Sequence, residues 1–207
     1  MEALTQPYYL ASVKEIMELF IKKHIKLSFK KSEEVTEFYR SLQVNYPKFF
    51  KMDGLSKLGF AASEVLLKDE ESRFIPREDI AIVCFNRSSS LDIDMQYQKT
   101  IRDNKNYFPS PSLFVYTLPN IIAGEIAIRN SFFGETFFYL CKNFDSNQII
   151  RTVKNAFYDN TTNTILVAWI ECFEKKREVF MILVEKEKND MDFSEEQLEI
   201  LYNKHTV

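Results

Sequence analysis

Three cysteines, two histidines and four glycines are what this 207-residue chain offers for covalent, metal or phosphate chemistry. His24 and His205 stand far apart, with no cysteine or carboxylate at ligand spacing around either. Both read as surface residues, so no metal site and no cofactor is expected. Gly54, Gly59, Gly124 and Gly134 cannot build a GxGxxG loop. The pair at Walker spacing, Gly54 and Gly59, leads into Phe60-Ala61 where a lysine and a hydroxyl are needed, which argues against nucleotide binding by either route. The thiols remain. A thiol nucleophile needs a lowered pKa and an imidazole within reach to move protons. Cys84 and Cys172 fall inside or at the end of apolar runs and read as packing atoms. Cys141 closes the run from Thr136, just before the polar turn Lys142-Asn143-Phe144-Asp145, a place where α/β enzymes expose reactive side chains. Its plainer reading is a small core residue. Were it a nucleophile, its base would have to be Asp145 or Glu171.

The elements that must position these residues follow from periodicity. Asp79 to Phe85 is a nearly continuous apolar run, the pattern of a strand buried on both faces. Thr136 to Cys141, Thr164 to Glu171 and Glu178 to Val184 read as further strands. Tyr8 to Ser28 is open between a strand starting at Tyr8-Val13 and a helix through Val13, Ile16, Leu19 and Phe20, with the strand preferred. Ser32 reads as the cap of a first helix, and Asp53 as the cap of a second whose apolar face carries Leu55, Leu58, Phe60, Ala61, Ala62, Val65 and Leu66. Helices are also predicted over Leu91 to Arg102, Pro119 to Arg129 with Asn120 near its start, Ser146 to Tyr158, and behind Ser194. Alternating strands and helices define an α/β fold with a mixed, mostly parallel five-stranded sheet packed between helices.

Length and composition fit one domain spanning 1–207, with 45% apolar and 28% charged residues. The net charge of −3 comes from interspersed side chains, which leaves no basic field for nucleic acid. An odd number of widely spaced cysteines suits a reducing compartment. The N-terminus lacks a signal sequence, and no run reaches the ~18 apolar residues of a membrane span, so a cytoplasmic protein is expected.

Two stretches resemble a known family. Lys51-Met52-Asp53 with its helix, then Pro111, Asn120-Ile121-Ile122-Ala123-Gly124-Glu125-Ile126-Ala127-Ile128 and Gly134-Glu135-Thr136, are similar in order and spacing to the N-terminal domain of β-ketoacyl synthases of the thiolase-like fold. The likeness is greatest to the degenerate short forms that accompany aryl polyene and flexirubin-type pigment pathways. Thr164 to Glu171 resembles the strand after the nucleophile helix, which in the family ends close to a Glu. On the residues alone, Ala123 and Gly124 read as allowing close approach of a helix to another backbone, and Gly134 as the tight turn into a strand.

The resemblance implies a thiolase-like half-fold and puts Asn143 at the position of the family's nucleophile. Cys141 comes two residues early, about 7 Å along a strand. The family's activity, 3-oxoacyl-acyl carrier protein synthase chemistry, also needs two histidines, or a His and an Asn, from a second half. The chain ends near where that half would begin, and Glu178 to Val184 resembles at most its first strand. Loss of one oxyanion donor alone costs about 3 kcal/mol, so the resemblance implies no catalytic residue here. It implies instead a chain-length-factor-like subunit of a fatty acid, polyketide or aryl polyene system, with a catalytic ketosynthase and acyl carrier protein as partners. Family dimers pair through the strand that ends at the nucleophile, which makes Thr136, Phe137, Phe138, Tyr139 and Leu140 the expected interface. The layer a second half would cover is then expected to be apolar and exposed unless a partner covers it. The alternatives are a stand-alone acyltransferase using Cys141 and a homodimeric scaffold without acyl ligand.

Overall fold

Every residue of Ile80–Asn86 is buried, as an unbroken apolar run requires of a strand covered on both faces. In the computed structural model, which describes residues 17–71, 73–105, 107–158, 160–187 and 189–204, this strand is β2 of a five-stranded sheet. The others are β1 (Phe20–Phe29), β3 (Thr136–Leu140), β4 (Thr164–Phe173) and β5 (Lys176–Glu185), in the spatial order β1-β5-β4-β2-β3. β2 pairs in parallel with β3 and β4, whereas β5 runs antiparallel to both β4 and β1. β5 therefore opposes the other four. It lies inside this sheet as the neighbour of β4, which corrects its reading as the start of a second half.

The helices are α1 (Ser32–Ser41), α2 (Gly54–Leu66), α3 (Leu91–Ile101), α4 (Pro111–Tyr116), α5 (Ile121–Asn130), α6 (Ser146–Ala156) and α7 (Glu195–Asn203). Strand alternation divides the core between two faces. Ile82, Cys84, Leu166, Ala168 and Ile170 pack with α2 and α5, and Val83, Phe85, Ile165, Val167 and Trp169 pack with α6 and α7. α2 comes close because Gly59 has no side chain: a Cβ there would stand 2.7 Å from Ile170 Cδ1 and 2.9 Å from Ile122 Cγ1. The close approach expected at Gly124 is not found, since nothing lies within 4 Å of where its Cβ would be. Gly134 does what its turn demands, a Cβ there falling 2.3 Å from the Ile80 carbonyl oxygen.

Asp53 caps α2 by accepting hydrogen bonds from the Leu55 and Ser56 N–H groups at 3.2 and 3.1 Å. Ser194 caps α7, accepting from the Gln197 N–H at 3.3 Å. Ser32, expected as a cap, is instead the first helical residue of α1, and its hydroxyl accepts from Arg177 Nε at 2.9 Å. Asn120 occupies the cap position of α5 without a side-chain bond. The strand preferred at Tyr8-Val13 lies outside the described residues, and the strand in that segment begins at Phe20. The layer outside α6 and α7 is not apolar: Asn147, Gln148, Arg151, Lys154 and Asn155 face solvent on one helix, Glu195, Glu196 and Asn203 on the other, with Ile200 the exposed exception. The chain's own α7, anchored by Leu198 and Leu201, covers the sheet there. No helix among the described residues is long and apolar enough to cross a membrane.

Candidate functional site

The carboxyl ends of β2, β3 and β4 meet where the sequence concentrates its polar turns. Glu171, near the end of β4, is only 1% exposed. A buried carboxylate is costly unless hydrogen-bonded, and both of its oxygens are engaged. One accepts from the Arg87 backbone N–H at 2.9 Å, and the other from the Ser88 hydroxyl. The carboxylate thus clasps the loop after β2 onto β4. Within that loop Asn86 donates to the Ser89 carbonyl and accepts from the Ser89 N–H, both at 2.9 Å, which holds Ser89 at φ 51°.

Cys141 follows β3. Its N–H donates to the Asn86 carbonyl at 2.8 Å, and its side chain is buried in the α6/α7 face of the core. Burial, and then the nearby Asp145 charge, push its thiol above the ordinary value. Asp145 is itself occupied, capping α6 through the Gln148 N–H at 2.9 Å. Burial raises Cys84 and Cys172 to about 12. All three thiols are therefore held protonated, the opposite of what nucleophilic attack requires.

Asn143 is exposed and lines a crevice of about 260 Å³ with Arg87, Phe144, Trp169, Glu171, Lys176 and Tyr202. The fold brings Asn143 and Glu171 together there, and Cys141 is not among the lining residues. His24 sits on β1, at the opposite edge of the sheet from β3, with its pKa lowered by burial and by Lys204. His205 lies outside the described residues. No group of three or more His, Cys, Asp or Glu side chains among the described residues could hold a metal ion.

Sequence reasoning missed the aromatic wall of this crevice. Tyr202 of α7 stacks on Phe144 with centroids 3.7 Å apart and an interplanar angle of 1°, and donates to Glu178 at 2.8 Å. Glu178 also accepts from Trp169 Nε1 at 3.3 Å and pairs with Lys176 at 2.8 Å. Burial opposes the Glu178 charge, but the hydrogen bonds from Lys176 and Tyr202 outweigh it and keep the carboxyl below its usual range. The available signal was register: Glu171 and Glu178 are direct cross-strand partners, so both must find donors on one face.

β3 has one neighbour, β2, and its other side is an open edge. Phe137 and Tyr139 turn toward the α6 face, Phe138 toward the α2/α5 face, and Leu140 is 62% exposed. The Glu135 carbonyl and the Cys141 N–H both bond to β2, at 2.9 and 2.8 Å. By strand alternation the N–H groups of Thr136, Phe138 and Leu140 point away from the sheet.

No family model and no curated protein matches the sequence. Solved structures do match. The chain is similar to the ishigamide ketosynthase/chain length factor, with a TM-score of 0.64 and 15% identity over 81% of this chain and 62% of that one. It is also similar to a structure of the ketosynthase ApeO in complex with its chain length factor ApeC from Xenorhabdus doucetiae, with a TM-score of 0.59 and 14% identity over 83% of this chain and 80% of that one. A third match is AntDE:AntF, a type II polyketide synthase acyl-carrier protein in complex with its ketosynthase, at 0.58 and 10% identity over 82% and 62%. The chain thus spans less than two thirds of the length of the ishigamide protein. Its fold is the thiolase-like half-fold of ketosynthases and chain length factors.

Proposed function

We propose that this chain is a non-catalytic, chain-length-factor-like subunit that pairs through β3 with a catalytic ketosynthase working on carrier-bound acyl groups. The observation that carries the reading is the replacement of chemistry at the site. By the resemblance the family's nucleophile position falls on the amide Asn143, which lines the crevice; the nearby thiol is buried outside it, and the one described imidazole is on the far edge of the sheet. An amide cannot attack a thioester and a protonated, enclosed thiol does so poorly. The edge strand supplies the other half of the reading, because its unpaired backbone groups are a template for strand addition. The reading takes residues 1–207 as one domain acting in the cytoplasm of a fatty acid, polyketide or aryl polyene producing cell.

Coexpression with a full-length ketosynthase of the same genome, followed by size-exclusion chromatography, tests it. A complex stable at micromolar concentration is expected, and separate elution contradicts the pairing. The acyltransferase alternative is tested by incubating the native protein with an acyl-carrier thioester: no mass adduct on Cys141 is expected.

A further inference from the structure

Along the sequence the charges are interspersed, but folding sorts them. Residues 38–50, 73–77 and 126–134 contain no Asp or Glu and carry Arg40, Lys48, Arg73, Arg77 and Arg129. Contacts lace the three segments together on the α2/α5 side of the molecule. The Arg129 guanidinium lies over both the Tyr46 and the Phe74 rings, 5.2 and 4.9 Å from their centroids. The Arg77 N–H donates to the Ser131 carbonyl at 3.0 Å, and the Phe133 N–H donates to the Arg77 carbonyl at 2.6 Å. Five apolar side chains protrude from these segments: Phe50, Phe74, Ile75, Ile128 and Phe133, each 50 to 68% exposed. Exposed apolar surface gathered in one place marks a contact site, whereas single exposed residues do not.

Phe74 is presented outward under strain. Its φ of 66° lies in the left-handed region that an aromatic residue seldom adopts, and such a conformation persists only where surrounding contacts over-determine it. Here the Arg73 and Arg129 guanidiniums, 4.6 and 4.9 Å from the ring centroid, hold it. Both are anchored below on the buried carboxylate of Glu64, and Lys48 is anchored on the buried Glu125 at 2.8 Å. Two guanidiniums on one carboxylate leave a positive excess beside the ring. Rings and cations interleaved in this way match a bilayer surface bearing anionic lipid, where apolar side chains enter the acyl boundary and Lys and Arg stay with the headgroups. A nucleic acid fits less well. Bases need free ring faces to stack on, and guanidiniums already lie over Phe50, Phe74 and Tyr46. Glu71, Glu78 and Glu135 are exposed just outside the three segments, so the attachment is weak enough to be reversed by salt.

We propose that this face docks the protein reversibly on an anionic lipid bilayer, with Phe74 and Ile75 as the inserted tip. Docking of this kind is independent of the pairing through β3. The native protein is mixed with vesicles of phosphatidylcholine alone, or of phosphatidylcholine and phosphatidylglycerol in equal parts, and sedimented. It is expected to pellet with the anionic vesicles only and to be released by high salt. Phe74→Ser/Ile75→Ser and, separately, Ile128→Ser/Phe133→Ser are each expected to lower the partition coefficient at least about tenfold, with far-ultraviolet circular dichroism unchanged. Arg40→Glu is expected to lower it by a smaller factor. If the native protein stays in solution beside the anionic vesicles, or if both Ser pairs pellet as it does, docking on lipid is ruled out. Retention on single-stranded polyuridine without sedimentation on vesicles would overturn it in favour of a nucleic-acid face.

Discussion

The sheet has two edges, and they are built for opposite purposes. β1 presents Lys22, Lys23, His24 and Lys26 along one strand and carries a register irregularity between Ile21 and Lys23. Lys22 and Lys23 are further tied to Glu70 at 3.1 and 2.6 Å. Charges and bulges are the usual means of preventing a strand edge from pairing with another chain. β3 reads Thr-Phe-Phe-Tyr-Leu, without one charge. Beside it lies a groove of about 370 Å³ against α6, lined in part by Phe137, Tyr139 and Thr152. Charge and irregular register disfavour strand addition at β1, whereas the uncharged β3 leaves its outward backbone groups unpaired within the chain. Exposure alone does not make this distinction, because both strands border solvent.

The comparison breaks most readily at β3. Thr136→Pro removes an outward N–H without touching the ladder to β2 and is expected to weaken partner binding by two orders of magnitude or more, read by analytical ultracentrifugation. The converse change, Lys22→Val with His24→Val, strips the protection from β1 and is expected to produce concentration-dependent self-association in light scattering, absent from the native chain.

Smaller effects sharpen the account of the crevice between the edges. Glu171→Ala leaves the Arg87 N–H and the Ser88 hydroxyl without their acceptor, and urea unfolding is expected to show a loss of about 2 kcal/mol. Tyr202→Phe deletes only the bond to Glu178 and is expected to cost about 1 kcal/mol in the same measurement.

The smallest effect concerns acid stability. Arg77 makes a two-point contact to Asp79, at 2.6 and 2.7 Å, and holds its carboxyl at about 2. A carboxyl lowered in the folded state contributes stability above its unfolded value, and that contribution is lost as pH falls. The Asp79 contribution is therefore present above about pH 4 and fades toward pH 2. Asp79→Asn is expected to flatten that part of the stability profile, by a small amount because the pair is partly exposed.

How much of this was legible in the sequence depended on whether a residue's partner was near. β2 to β5 appear within a few residues of their apolar runs, and Asp53 and Ser194 cap the helices their spacing predicts, because these features are local. β1 was harder to read because its alternating lysines and histidine interrupt the apolar pattern that marks a strand. Gly124 and Gly59 exchanged roles for a related reason, since which glycine meets another element depends on the packing of α2 against α5 and β4. At the site, Cys141 and Asn143 were placed two residues apart, and the structure separates them into core and crevice. The clasp made by Glu171 spans 83 positions to Ser88 and left no local trace. Tyr202 over Phe144 is a contact of the same long-range kind.

Hydrogen exchange at single-residue resolution on β3, with and without the full-length ketosynthase, addresses the pairing most directly. The account predicts that the Phe138 and Leu140 amides, which point away from the sheet, slow markedly on complex formation, while the already bonded Phe137 and Tyr139 amides change little. A complex that forms with Phe138 and Leu140 exchanging as fast as in the free chain would contradict it.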